Sequence, residues 1–170
     1  DKVLGGPQAG IIVGKKKYID IMKRHPLNRA LRVDKFTISA LEATLRNYLN
    51  EKEAIKNIPT LNMITLSINE LERRAKALYD MLTSDIKKRI YFQIVDEYSQ
   101  VGGGSMPLEK IPTKAIKITA EEVNITRFER QLRKYKVPII TRLYKDDIYI
   151  DLRTLNIEDY DKIEIGRAHV

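Results

Sequence analysis

Between Leu82 and Ile90 the hydrophobic period of this chain changes from that of a helix to that of a strand, and this switch narrows the fold more than any other feature. Before it, Ser67-Ile-Asn-Glu70 forms a capping box, and Ile68, Leu71, Ala75, Leu78 and Leu82 follow at helical spacing. After it, Ile90, Phe92 and Ile94 alternate with polar neighbours, the pattern of a strand. Ile116 and Ile118 alternate in the same way. Asn124 can cap a helix with Ile125, Phe128, Leu132 and Tyr135 on one face. Val137 to Tyr144 and Ile148 to Leu152 read as a hairpin turning at Lys145-Asp146-Asp147, with one or two helical turns over 157–164. Residues 59–164 are therefore expected to form an α+β unit of about four strands and two or three helices.

Residues 1–58 have a different character. Ala9-Gly-Ile-Ile-Val-Gly14 is an apolar run bounded by glycines and predicts a buried strand. A basic helix over 15–24 follows, interrupted at Pro26. Asp34 can cap the next helix, whose Ile38, Leu41, Leu45 and Tyr48 share one face. Pro59 marks a break. This first part needs a partner to bury its apolar faces. The opening Asp1-Lys2, without Met, suggests a cut inside a larger protein. Residues 165–170 carry no pattern and read as a non-native tail, the alternative being an ordinary frayed terminus.

Composition removes several classes of chemistry. The chain has no cysteine, which excludes a disulfide framework, a zinc–thiolate site and a cysteine nucleophile. Its histidines are His25 and His169, too few for a histidine-rich metal site, and no metal is expected. Apolar residues make up 43% of 170, enough for a core, which excludes wholesale disorder. No apolar run approaches the about 20 residues of a membrane span, so the expectation is a soluble, cytoplasmic protein without a membrane partner. The net charge of +8 leans toward a polyanionic partner such as nucleic acid.

The most informative stretch is Lys2-Val-Leu-Gly5-Gly6-Pro7-Gln8-Ala-Gly10. Lysine does covalent work when burial or a nearby positive group lowers its pKa, and it then condenses with an aldehyde such as pyridoxal phosphate (PLP). The glycines let backbone approach a cofactor or a neighbouring subunit closely. Taken alone, a lysine is more often a solvated surface residue. Arg29 and Arg32 are three apart, so one helical turn would place two guanidinium groups as a fork for a phosphate-like anion. The alternative is a basic helix end or a nucleic-acid backbone contact. Lys15-Lys16-Lys17 with Lys23 and Arg24 reads as a solvated basic face, and Tyr91, Tyr135, Tyr144 and Tyr149 as packing rather than base-stacking residues. Gly102-Gly-Gly-Ser105 lacks the ending of a P-loop and is left without a role.

Asp1-Lys2-Val-Leu-Gly-Gly-Pro-Gln-Ala-Gly-Ile-Ile-Val-Gly14 closely resembles the PLP-lysine segment of the bacterial selenocysteine synthase family, the L-seryl-tRNA(Sec) selenium transferases. His25-Pro-Leu-Asn-Arg-Ala-Leu-Arg-Val-Asp-Lys35, Ala40–Leu45, Ile58-Pro-Thr-Leu61, Val101-Gly-Gly-Gly-Ser-Met-Pro107 and Asp151-Leu-Arg153 continue the resemblance in order. The lysine motif alone is shared loosely with cystathionine-type PLP enzymes; the later blocks single out the selenium enzyme. The resemblance implies an α/β fold, a fold-type I PLP-dependent transferase of aminotransferase-like build. Residues 1–58 would be the C-terminal end of its large domain and 59–164 its small α+β C-terminal domain.

It also implies roles. Lys2 would bind PLP and act as the catalytic amine. Arg29 and Arg32 would bind selenophosphate. The reaction would convert seryl-tRNA(Sec) to selenocysteinyl-tRNA(Sec) through a dehydroalanyl-tRNA aldimine, in a parent that assembles as a homo-oligomeric ring of dimers. The upstream cofactor-binding and tRNA-binding residues would be missing, leaving this chain inactive alone. Two other readings compete: a cystathionine-type PLP lyase acting on a small amino acid, and a non-catalytic basic RNA-binding module.

Overall fold

A computed structural model describes residues 1–83, 90–102, 106, 108–120 and 124–163. They fall into two compact units, Asp1–Thr65 and Leu66–Val170.

The first unit is helical. Helix α1 (Lys16–Arg24) stops at His25, whose backbone is extended, and Pro26 leads into the short α2 (Leu27–Leu31). Asp34 caps α3 (Lys35–Asn47), its Oδ1 accepting from the Phe36 and Thr37 N–H groups at 2.7 and 2.9 Å. Asn50 does the same for α4 (Glu51–Asn57), and α5 (Pro59–Thr65) starts on proline, where a missing N–H costs nothing. Ala54 and Ile58 are buried, 2% and 3% exposed, whereas Leu31, Phe36 and Leu49 lie open to solvent. Ile38, Leu41 and Leu45 of α3 and Leu49 just beyond it line an open apolar groove.

The strand expected over Ala9–Gly14 does not form. Residues 9–15 carry no secondary structure, and Ile11, Ile12 and Val13 are 57%, 69% and 90% exposed. A strand exists only by hydrogen bonding to another, and no strand among the described residues pairs with this one.

The second unit is a four-stranded antiparallel sheet packed by helices, with strand order β1-β2-β4-β3 for β1 (Ile90–Gln100), β2 (Lys110–Ala120), β3 (Arg142–Tyr144) and β4 (Asp147–Asp151). Register explains the core. Phe92 faces Ile118 and Ile94 faces Ile116 across β1–β2; Ile116 faces Ile150 and Ile118 faces Ile148 across β2–β4. Alternation therefore gathers these side chains on one sheet face. Helix α6 (Ile68–Thr83) lays Leu71, Ala75, Leu78 and Leu82 on that core, all 0–1% exposed. Helix α7 (Ile125–Lys134), capped by Asn124, adds Phe128 and Leu132. Residues 157–163 turn as a 3₁₀ turn (Ile157–Asp159) and a short helical end, burying Tyr160 and Ile163.

The hairpin differs from expectation in two ways. Its first strand is only Arg142–Tyr144, because the chain before it closes the end of α7: the Ile139 N–H donates to Leu132 O at 3.0 Å. Its turn is the pair Lys145-Asp146, at φ 48° and 61°, which suits the right-handed twist of a two-residue hairpin. Asp147 belongs to β4, where its carboxylate accepts from Thr119 Oγ1 (2.7 Å) and pairs with Lys117 Nζ (2.8 Å).

The capping box is half formed. The Glu70 N–H donates to Ser67 Oγ at 3.2 Å, but the Glu70 carboxylate turns to Arg73 and Arg74, at 2.8 Å from each. Hydrogen bonds from Arg73 and then Arg74 hold this carboxyl down at about 2, against an ordinary 4.5. A carboxyl depressed by folding adds stability that is complete above about 4.5 and lost as pH falls toward 2. Glu70→Gln is therefore expected to lower stability by about 1 kcal/mol at pH 7. The gap to wild type should close by pH 2, as read by urea denaturation at both pH values; a gap independent of pH would remove the linkage.

Candidate functional site

Lys2 lies at the head of a segment that runs against α3 and α4. Val3, Gly5, Pro7 and Ala9 are partly buried, while Lys2, Leu4, Gly6 and Gln8 are exposed. Gly5 and Gly6 sit at φ 75° and 76°, a conformation L side chains rarely adopt. Their contacts are also close. A Cβ on Gly5 would lie 2.9 Å from Ile58 Cγ2, and one on Gly6 would lie 2.8 Å from Thr44 Oγ1. The two glycines thus allow the lysine loop to press on α3 and on buried Ile58. A third tie comes from Tyr48, at the C-cap of α3, whose hydroxyl donates to Leu4 O at 2.8 Å.

The Lys2 amine stays exposed, and it forms no ion pair with any described residue. This is a presented amine on a braced loop. It can condense with a carbonyl or take a proton.

Arg29 and Arg32 are both exposed, but they are held differently from the expected single helical turn. Arg29 is inside α2, whereas Arg32 is its C-cap with extended backbone (ψ 137°), because the chain is already leaving the helix toward Asp34. Among the described residues neither makes an ion pair, so both charges are open to an anion. No hydrogen bond among the described residues links either of them to Lys2.

Other sequence candidates sort clearly. On α1, Lys16, Lys17, Lys23 and Arg24 are exposed and unpaired among the described residues, with Lys17 Nζ 4.8 Å from the Tyr18 ring centre. Tyr135 packs beside the core, and Tyr144 meets Tyr149 edge-on at 6.4 Å. Tyr91 is 52% exposed and packs less than expected. Gly102 takes φ 112° with open space around it; residues 103–105 lie outside the described residues, as does the tail at 165–170. No helix among the described residues is long and apolar enough to cross a membrane.

The Asp151-Leu-Arg153 block has a structural role that residue type did not disclose. Asp151 accepts from Ser99 Oγ on β1, Thr113 Oγ1 on β2 (2.8 Å) and the Arg153 N–H (3.0 Å). The Arg153 guanidinium, 4% exposed, donates to Leu66 O (3.0 Å) and Pro112 O (2.6 Å). These bonds join both long strands, β4 and the approach to α6. Likewise, the sequence places Tyr48 on an apolar stripe. Its one signal was chemical: a tyrosine on a packed face needs a partner for its hydroxyl.

Comparison with known proteins gives consistent results. The model of the family described as L-seryl-tRNA selenium transferase matches residues 1–156. An L-seryl-tRNA(Sec) selenium transferase of Clostridium perfringens (strain 13 / Type A) is 56% identical over 163 residues, 96% of this chain and 35% of the relative. That of Alkaliphilus oremlandii (strain OhILAs) is 51% identical over the same shares. The chain thus spans 35% of the length of the curated relatives it matches. Among solved structures, D-glucosaminate-6-phosphate ammonia-lyase aligns with a TM-score of 0.52 at 17% identity, covering 92% of this chain and 37% of that one. That likeness shows the fold, and the expected α/β class holds.

Proposed function

The chain belongs to the L-seryl-tRNA selenium transferase family, and from that premise we propose that it is the C-terminal part of an enzyme converting seryl-tRNA(Sec) to selenocysteinyl-tRNA(Sec) with selenophosphate. The observation that supports this best is Lys2, an exposed amine on a loop that two left-handed glycines press onto α3. The same loop is the test of whether PLP fits. A side chain at Gly5 or Gly6 would collide with Ile58 or Thr44, so the backbone is held close while Nζ stays open to a carbonyl partner.

When bound, PLP supplies an electron sink for charge developing at the α-carbon of the seryl group. Lys2 would hold it, and the Lys2 Nζ would move the α-proton. Arg29 and Arg32 would take the donor's phosphate oxygens, a charge-assisted contact that open guanidinium groups suit. In the net exchange the seryl Cβ–O bond gives way to a Cβ–Se bond and its oxygen leaves as water, while the donor's P–Se bond breaks and water supplies the fourth oxygen of the released phosphate. We assign the remaining cofactor contacts and the tRNA-recognition surface to the part of the relatives' length that this chain does not span. We place the enzyme in the cytoplasm as a homo-oligomer built from dimers. The family match leaves the lyase and RNA-module readings without a supporting observation.

The test is turnover by the full-length protein with PLP, seryl-tRNA(Sec) and selenophosphate. Selenocysteinyl-tRNA is the expected product. Arg29→Gln combined with Arg32→Gln should raise half-saturating selenophosphate by about tenfold or more while leaving PLP uptake intact. Turnover of a free amino acid but not of seryl-tRNA would sink the proposal. An unchanged selenophosphate response would remove the arginine assignment alone.

A further inference from the structure

We infer that Tyr48 is a positioning residue for the Lys2 amine, an inference that rests on the cofactor reading above. Its hydroxyl reaches Leu4 O at 2.8 Å, bridging 44 positions of sequence to the second residue after Lys2. That carbonyl sits where the loop has least support of its own. The next two residues are glycines at positive φ, and residues 1–15 form neither helix nor strand. A glycine pair in this state loses much freedom on ordering, so something must hold it.

Tyr48 is placed to do so because its own site is stiff. It is the C-cap of α3, with its backbone N–H turned onto the Leu45 and Arg46 carbonyls. Next to it, Asn47 donates to Ala43 O (3.0 Å) and accepts from Asn57 Nδ2 of α4 (2.9 Å). Thr44, one turn earlier, supplies the surface on which Gly6 rests. The Thr44 hydroxyl is committed to Ala40 O at 2.9 Å, so its contact with the loop is steric. The phenol O–H is thus the polar tie between a rigid helix end and the loop that presents Lys2. Tyr48 acts through Lys2 and is not itself a reacting group.

Reactive-group placement is worth far more than one neutral hydrogen bond, because an error of about 1 Å costs on the order of a hundredfold in rate. Loss of one tie should produce part of that. In the full-length protein loaded with PLP, Tyr48→Phe is expected to lower kcat about tenfold while KM for seryl-tRNA stays within about twofold. The pH midpoint of the bound-PLP absorbance should shift, because the amine no longer sits in one fixed orientation. In the cofactor-free protein, hydrogen exchange should rise over residues 2–6 and stay unchanged over α3.

Each result is decisive. An unchanged kcat and an unchanged absorbance midpoint overturn the inference. So does exchange that rises throughout α3, since Tyr48 would then serve the helix and not the loop. Wild-type protein that takes up no PLP on Lys2 is a separate failure, of the cofactor reading itself.

Discussion

Lys2→Ala in the full-length protein is expected to abolish selenocysteinyl-tRNA formation, a loss of at least about a thousandfold, while the protein stays folded. The size follows from the two roles joined in one amine. General acid–base catalysis by a placed group contributes about 10²–10⁴-fold, and the covalent hold on the cofactor is lost as well. Folding should survive because the Lys2 side chain is exposed and makes no ion pair among the described residues. The direct check is borohydride reduction of the PLP-loaded wild type followed by peptide mapping. The adduct should map to Lys2, and the alanine variant should give none. An adduct on another lysine, or full activity in Lys2→Ala, would remove the central assignment.

The second large effect lies in the other unit. Asp151→Ala should destabilise the fold by about 2–3 kcal/mol, because it strands hydroxyls that have little access to water. Thr113 is 1% exposed and Ser99 8%, and both donate to this carboxylate. Asp151→Asn keeps the Oδ1 acceptor used by Thr113 and the Arg153 N–H, and its amide N–H can donate to a reoriented Ser99 hydroxyl, so it should lose clearly less. The pair is read by urea denaturation. Equal losses in the two variants would mean that charge matters and the hydroxyl bonds do not. No loss in either would mean that the block is held by packing alone.

What could be read from sequence divides along physical lines. The caps at Asp34, Ser67 and Asn124 and the stripe on α6 are local, so their residues state their own geometry. The strands β1 and β2 were also legible, since alternation marks each, but their pairing and register came only with the structure. Ala9–Gly14 failed because a strand is a relation between two segments, and the second is not among the described residues. The hairpin's first arm came out short because the chain around Ile139 was claimed by the end of α7, a competition no single window reveals. At the candidate site, resemblance pointed to Lys2, but the brace from Tyr48 needed coordinates. So did the Asp151–Arg153 junction, whose partners come from three separate stretches of chain, at Leu66, Ser99 and Pro112–Thr113. The spacing of Arg29 and Arg32 predicted a shared turn, which the early end of α2 does not provide.

The strand order also predicts a sequence of events in folding. Strands β1 and β2 join as one hairpin and β3 and β4 as another, and each can zip up from its own turn. The sheet becomes whole only when β4 docks on β2, matching Ile116 with Ile150 and Ile118 with Ile148 across the intervening α7. Closure of that long loop must precede any reward from the contact, so the topology predicts it as the slow step in a stopped-flow refolding experiment. Until then Ile148 and Ile150, each under 5% exposed in the finished fold, remain in water. The hydroxyls of Ser99 and Thr113 wait as well, because Asp151 arrives on the same strand. The junction that locks the sheet is therefore expected to assemble last, as a latch on a process that the two hairpins begin.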